Sequence, residues 1–256
     1  MYGWRAQLGI VVPATNTTVE PELHRALPDG VAMFASRVPV AEVARREDKV
    51  ASLLAMHEGL AEAAAQVGAA RPDAVAYACT SGSFLGGAGS DRDLCRRMHE
   101  ATGVPALTTS TAVAAALKAV GASRIALVTP YVTEVAAGAE AYLAELGVEV
   151  VARADLNLLS NLEKGMLPAT ASYRLARTVD VAGADAVLIS CTNWRTLDII
   201  GRLEADLGRP VVSSNSATLW ALLRLAGIPD TGSVDGALLR SGLDWLPEHV
   251  TRAGAR

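Results

Sequence analysis

Tyr77-Ala78-Cys79-Thr80-Ser81-Gly82-Ser83 decides how this chain is read, because a second copy of the design, Ile189-Ser190-Cys191-Thr192-Asn193-Trp194-Arg195, stands in the other half. In each copy a cysteine ends an apolar run and opens a polar one. Asp73 to Ala78 leads into the first and Asp185 to Ser190 into the second. Both runs are short and mainly apolar, as strands buried within a parallel sheet are. A helix is expected to start after each cysteine, placing both thiols at strand-to-helix turns. Unpaired N–H groups and the positive end of the helix dipole favour a thiolate there and also bind carboxylates. A lone buried cysteine is often only a small core residue. Two in matched settings, each followed by Thr, point instead to paired functional thiols.

The repeat extends outward from the cysteines. Leu8-Gly9-Ile10-Val11-Val12-Pro13 matches Ile125-Ala126-Leu127-Val128-Thr129-Pro130, and Gly103-Val104-Pro105 before Thr108 to Thr111 matches Gly208-Arg209-Pro210 before Ser213 to Ser216. Strands are predicted at 7–12, 31–38, 104–107, 124–129, 148–154 and 211–213 besides the two cysteine strands. Helices are predicted at 18–27, 45–68, 91–101, 111–120, 134–146, 171–182, 196–207 and 217–225. This alternation, made twice, predicts an α/β fold of two pseudo-symmetric lobes, each a parallel sheet flanked by helices. Residues 1–107 with 216–256 are expected to form the first lobe and 108–215 the second, with a closing helix in the tail from Thr231 to Arg256.

Ligands of open α/β sheets bind beyond the carboxyl ends of the strands, so the polar loops of both lobes should meet in an inter-lobe cleft. Those loops carry Asn16, Thr17 and Thr18, Thr80 to Ser83, Tyr131 and Thr133, Asn161, and Thr192 with Asn193. Each alone would be a cap or turn residue. Together, their hydroxyls, amides and helix-start N–H groups make a neutral cradle suited to carboxylates.

Composition narrows the class. With 256 residues and 51% hydrophobic, the chain can bury a sizeable core, and at 4% aromatic that core is built from alanine, valine and leucine. Lys plus Arg number 23 against 27 Asp plus Glu, a net charge of −4 with no basic run. That balance argues against nucleic acid or an anionic membrane as partner. No stretch has the length to span a bilayer, and the apolar run at Leu8 to Val12 is broken by Pro13 without a cleavage site. Three cysteines, none in a CxxC pair, fit a reducing compartment, so a soluble cytoplasmic protein is expected. His24, His57, His99 and His249 lack ligand spacing, so no metal is expected. Gly86-Gly87-Ala88-Gly89 lacks the full phosphate-loop pattern. Cys95, mid-helix without a counterpart, reads as structural, and Glu20 and Glu134 as first-turn helix carboxylates.

Val12-Pro13-Ala14-Thr15-Asn16-Thr17-Thr18-Val19-Glu20, the Cys79 and Cys191 pair, the Pro130-Tyr131 step and Asn161 resemble the aspartate/glutamate racemase superfamily. Within it they resemble the branch of maleate cis-trans isomerases and arylmalonate decarboxylases, from Leu8 to about Gly227. The resemblance implies the racemase-like two-lobed fold, Cys79 as a nucleophile adding to the alkene of maleate, and a succinyl-cysteine-like adduct that rotates and eliminates fumarate. It makes Cys191 the acid/base across the cleft and Asn16, Tyr131 and Asn161 holders of the carboxylates, beside Thr80, Ser81 and Thr192. No cofactor is needed, and a homodimer is implied. The chemistry stands on its own: a double bond cannot rotate until a nucleophile makes it single, and a thiolate is the best protein candidate. Two alternatives stay open. The hydroxyl-rich Thr80-Ser81-Gly82-Ser83 resembles the carboxylate loop of the decarboxylases, so Cys191 could protonate an enediolate in a racemase or arylmalonate-type decarboxylase. The second alternative is a two-lobed module that binds a carboxylate without chemistry.

Overall fold

The structure, a computed structural model, describes residues 2–87, 89–246 and 250. It contains two four-stranded parallel sheets. β1 (Ala6–Pro13), β2 (Val31–Val38), β3 (Ala74–Tyr77) and β4 (Ala106–Thr108) are ordered β2-β1-β3-β4, and β5 (Arg124–Thr129), β6 (Glu149–Asp155), β7 (Ala186–Ile189) and β8 (Val211–Ser213) are ordered β6-β5-β7-β8. The second lobe thus repeats the first strand for strand. Each cysteine strand is central: Val11 is opposite Tyr77 and Val128 opposite Ile189, and every residue of β3 and β7 is buried. Cys79 and Cys191 each follow two residues beyond such a strand, at its carboxyl end.

Around the sheets lie α1 (Val19–Ala26), α2 (Lys49–Ala55), α3 (Leu60–Gly68), α4 (Thr80–Phe84), α5 (Ser90–Thr102), α6 (Thr109–Ala119), α7 (Thr133–Glu145), α8 (Asn161–Met166), α9 (Ala169–Thr178), α10 (Ile200–Leu207) and α11 (Ser214–Leu225). α6 and α11 each follow the last strand of a sheet and pack on one another. Their N-termini are capped alike: Thr108 Oγ1 accepts from the Thr111 N–H at 3.1 Å, and Ser213 Oγ from the Ser216 N–H at 3.0 Å. The seam is lined with buried hydroxyls, and these find one another: Thr109 with Thr218 at 3.0 Å and Thr80 with Ser214 at 2.8 Å. A second tie is Glu22 on α1, buried, whose carboxylate accepts from the N–H groups of Thr196 (2.6 Å) and Leu197 (2.8 Å) and from Asn215 Nδ2 (2.5 Å). Burial raises its pKa and these bonds offset the rise.

Four expectations need correction. The helix predicted at 45–68 is broken into a 3-10 turn at Arg46–Asp48, α2, a second 3-10 turn at Met56–Gly59, and α3. Gly59 weakens the helix there, and His57 turns aside to place Nε2 2.6 Å from the Gly82 carbonyl oxygen. After Cys191 no α-helix begins until Ile200, because side chains from other elements satisfy the backbone instead. Glu22 takes the Thr196 and Leu197 N–H groups, and Ser172 Oγ donates to the Arg195 carbonyl at 2.6 Å. α8 was not expected at all. The tail shows only a 3-10 turn, Leu238–Arg240, among its described residues. It is held by Arg224, which donates to the carbonyls of Leu239 (2.5 Å) and Ser241 (3.1 Å), and the rest of the expected closing helix lies outside the described residues. No described helix is long and apolar enough to cross a membrane.

Candidate active site

Beyond the carboxyl ends of the central strands a small cavity opens, lined by Asn16, Cys79, Thr80, Ser81, Tyr131, Asn161, Cys191, Thr192 and Asn193, whereas Thr17, Thr18, Ser83 and Thr133, also expected at the cleft, do not line it. β1 and β3 bring Asn16 and Cys79, and β5 and β7 bring Tyr131 and Cys191 from the other lobe. The structure also adds Lys49 of α2 and Lys164 of α8 to the wall.

Both thiols are free and buried, and burial pushes both above the ordinary thiol pKa. They are drawn back toward the thiolate by different means. Cys79 caps α4, its Sγ accepting the Gly82 N–H at 3.4 Å, and the nearby Tyr77 and Ser81 hydroxyls also favour the thiolate. Cys191 has no helix behind it; the charge of Lys164 is its largest stabiliser, followed by the Asn193 N–H and the Tyr131 hydroxyl. Charge on Cys191 raises the Cys79 pKa, so ionising one thiol opposes ionising the other. One thiolate beside one thiol is the arrangement a nucleophile and an acid require.

Gly82 leaves room for this thiol. A methyl group there would come within 2.6 Å of Tyr77 Oη and 2.9 Å of Cys79 Sγ. Gly82→Ala is therefore expected to displace the sulfur and lower turnover at this site by about 100-fold, the cost of a misplacement near 1 Å. Kinetics beside a circular dichroism spectrum check this: lost turnover with an unchanged fold is expected, and unchanged turnover would contradict it.

The remaining polar groups divide by what they already hold. Tyr131 is buried, and its hydroxyl, close to Cys191, Ser190 and Thr80, makes no hydrogen bond of good geometry with any of them. Burial holds its pKa well above the ordinary value, so it stays an O–H donor. Asn16 and Thr192 are largely engaged with each other across the cleft. Asn16 Nδ2 donates to Thr192 Oγ1 at 3.0 Å, Asn16 Oδ1 accepts the N–H groups of Thr18 (2.9 Å) and Val19 (3.0 Å), and Thr192 Oγ1 donates to the Ala78 carbonyl at 3.1 Å. Thr80 donates its hydroxyl to Ser214. Asn161 starts α8, donates through Nδ2 to Thr15 Oγ1 at 3.3 Å and accepts at Oδ1 from Lys49 Nζ at 2.9 Å. Asn193 binds α8 in place, donating from Nδ2 to the Asn161 carbonyl at 2.7 Å while its Oδ1 accepts the Thr17 N–H at 3.0 Å.

The two lysines escaped the sequence reading, although signals existed. Lys49 shares one buried stripe with Leu53 and Met56, a helical spacing that turns it inward. Ser160-Asn161-Leu162-Glu163 has the form of a capping box, and Ser160 Oγ does accept the Glu163 N–H at 3.3 Å, which starts the helix that carries Lys164.

A sequence model of the arylmalonate decarboxylase family matches residues 8–239. The maleate isomerase of Nocardia farcinica is 32% identical over 247 residues, covering 91% of this chain and 95% of that protein. Among solved structures, a variant of the maleate isomerase Iso of Pseudomonas putida S16 with maleate superposes with a TM-score of 0.85 at 25% identity, over 92% of this chain and 97% of that one. A cysteine-to-serine mutant of the N. farcinica maleate cis-trans isomerase, with a covalently bound succinylcysteine intermediate, gives a TM-score of 0.83 at 28% identity, over 92% and 98%.

Proposed function

The chain belongs to the arylmalonate decarboxylase family, and from that premise we propose that it is a cofactor-independent cis-trans isomerase of a small unsaturated dicarboxylate, converting maleate to fumarate. The Cys79 thiolate adds to one alkene carbon, forming a C–S bond while the π pair moves to the neighbouring carbon and its carboxylate. The bond between the two carbons is then single and turns. Return of the electron pair breaks the C–S bond and releases fumarate with the thiolate restored. Cys191 faces the developing charge from the other lobe as the acid, and the Tyr131 hydroxyl, Ser81 and Asn161 Nδ2 hold carboxylate oxygens. The observation that carries the reading is the pair of buried thiols in one cavity, each stabilised differently, on a fold shared with a relative that holds a succinylcysteine intermediate.

A second reading, decarboxylation of an arylmalonate with Cys191 as proton donor, is favoured by the hydroxyls of Thr80 and Ser81. Against it, the Thr80 hydroxyl is engaged with Ser214 at the seam and is not free to hold a carboxylate. A homodimer in the cytoplasm completes the proposal; the free cysteines suit a reducing compartment, and light scattering measures the assembly. The test is proton NMR of maleate incubated with the protein in D₂O. Fumarate is expected, whereas unchanged maleate together with CO₂ release from phenylmalonate would replace this reading with the second.

A further inference from the structure

Lys49 and Lys164 are 1% and 4% exposed. Every ion pair among the described residues uses arginine, and none uses either lysine. Lys49 Nζ donates to the neutral Asn161 Oδ1 at 2.9 Å, and Lys164 Nζ stands 5.6 Å from the centre of the Tyr131 ring. Burying an ammonium group is costly, and here two share one wall and repel each other, with no carboxylate in salt-bridge contact with either and only the more distant charge of Glu42, and of the thiols when ionised, to favour them. Burial and that repulsion lower the pKa of Lys49 to about 8, and burial lowers that of Lys164. The other cavity donors, Tyr131, Ser81 and Asn161, are neutral and suffice for one carboxylate. Two ammonium groups with no carboxylate bonded to either call for another.

We infer that Lys49 and Lys164 form the subsite for the second carboxylate of the substrate and make the site selective for dianions. The inference rests on the reading of the cavity as a carboxylate site and adds its specificity-determining residues. Lys164 stands on α8 and Lys49 on α2, so an anion between them draws together two short helices, one from each lobe. Lys49 also fixes Asn161 by occupying its Oδ1, while Nδ2, already donating to Thr15 Oγ1, keeps its other hydrogen to donate.

Calorimetry with succinate and butyrate tests this. Both have four carbons, neither has a double bond to isomerise, and they differ by one carboxylate. The intact protein is expected to bind succinate about 100-fold more tightly than butyrate, and Lys164→Met and Lys49→Met are each expected to weaken succinate by about 10- to 100-fold, the range for a hydrogen bond to a charged group, with butyrate changed little. Rising pH should weaken succinate binding through about pH 8 as Lys49 loses its proton, and Lys49→Met should lack that step. The groups facing Lys49 are Lys164, Glu42, Cys191 and Cys79; burial pushes both thiols up, and the Lys49→Met and Lys164→Met profiles together tell the Lys49 step from that of Lys164, whose pKa burial also lowers. Thermal melts check the fold, and Lys164→Gln and Lys49→Gln repeat the test should a Met variant not fold. Equal affinity for succinate and butyrate in the intact protein, or folded lysine variants that keep succinate affinity, would overturn the inference. Succinate bound through the lysines by a protein that leaves maleate unchanged would uphold the subsite and defeat the isomerase reading.

Discussion

Cys79→Ala is expected to lower maleate isomerisation by about 10⁴-fold or more while leaving the protein folded; removing a covalent nucleophile takes away the step itself and leaves only binding. Alanine fits the space, since a buried cysteine packs as a small apolar residue. Its loss frees the Gly82 N–H and the Ser81 hydroxyl, while the Tyr77 hydroxyl keeps Met56 Sδ as an acceptor. Cys79→Ser is expected to be nearly as inactive, because a hydroxyl is a much weaker nucleophile near neutral pH. Initial rates of fumarate formation beside a thermal melt measure this. A folded Cys79→Ala variant within tenfold of the wild type would remove the thiolate from the mechanism.

Cys191→Ala is expected to lower turnover by about 10²- to 10⁴-fold, the contribution of a positioned general acid. The reason lies in the asymmetry of the site. Cys191 has Lys164 beside it and can give up or recover a proton without a helix behind it, whereas Cys79 is held by N–H and O–H donors that suit a thiolate. Losing Cys191 should therefore leave addition possible and slow the completion of the cycle. Single-turnover kinetics separate the two steps: the expected pattern is substrate capture with slow release of fumarate. Equal loss of capture in both cysteine variants would contradict the division of labour.

Much of this was legible in the chain. Apolar runs ending at Cys79 and Cys191 located the central strands, and the matched Pro13 and Pro130 strands revealed the repeat, since a buried parallel strand needs the same residues wherever it stands. What could not be read was set by contacts distant in sequence. The segment after Cys191 has the look of a helix start, yet Glu22 and Ser172 satisfy its backbone and leave it irregular. The break at Gly59 depends on His57 reaching Gly82. Asn16 was read as a ligand for substrate, and the structure gives it the further task of holding the Cys191 loop to α1. The lysines were hidden by a sound rule: lysine is almost never fully buried unless paired, and these two are buried without an ionic partner among the described residues.

Mass spectrometry of the Cys191→Ser variant, incubated with maleate and quenched in acid, tests the central claim most directly. The account predicts that the peptide containing Cys79 gains the mass of one maleic acid through a C–S bond, with Cys95, whose buried thiol is pushed up to about 12, left unmodified. Fumarate formed while Cys79 never carries the adduct, or an adduct found on Cys95 instead, would contradict it.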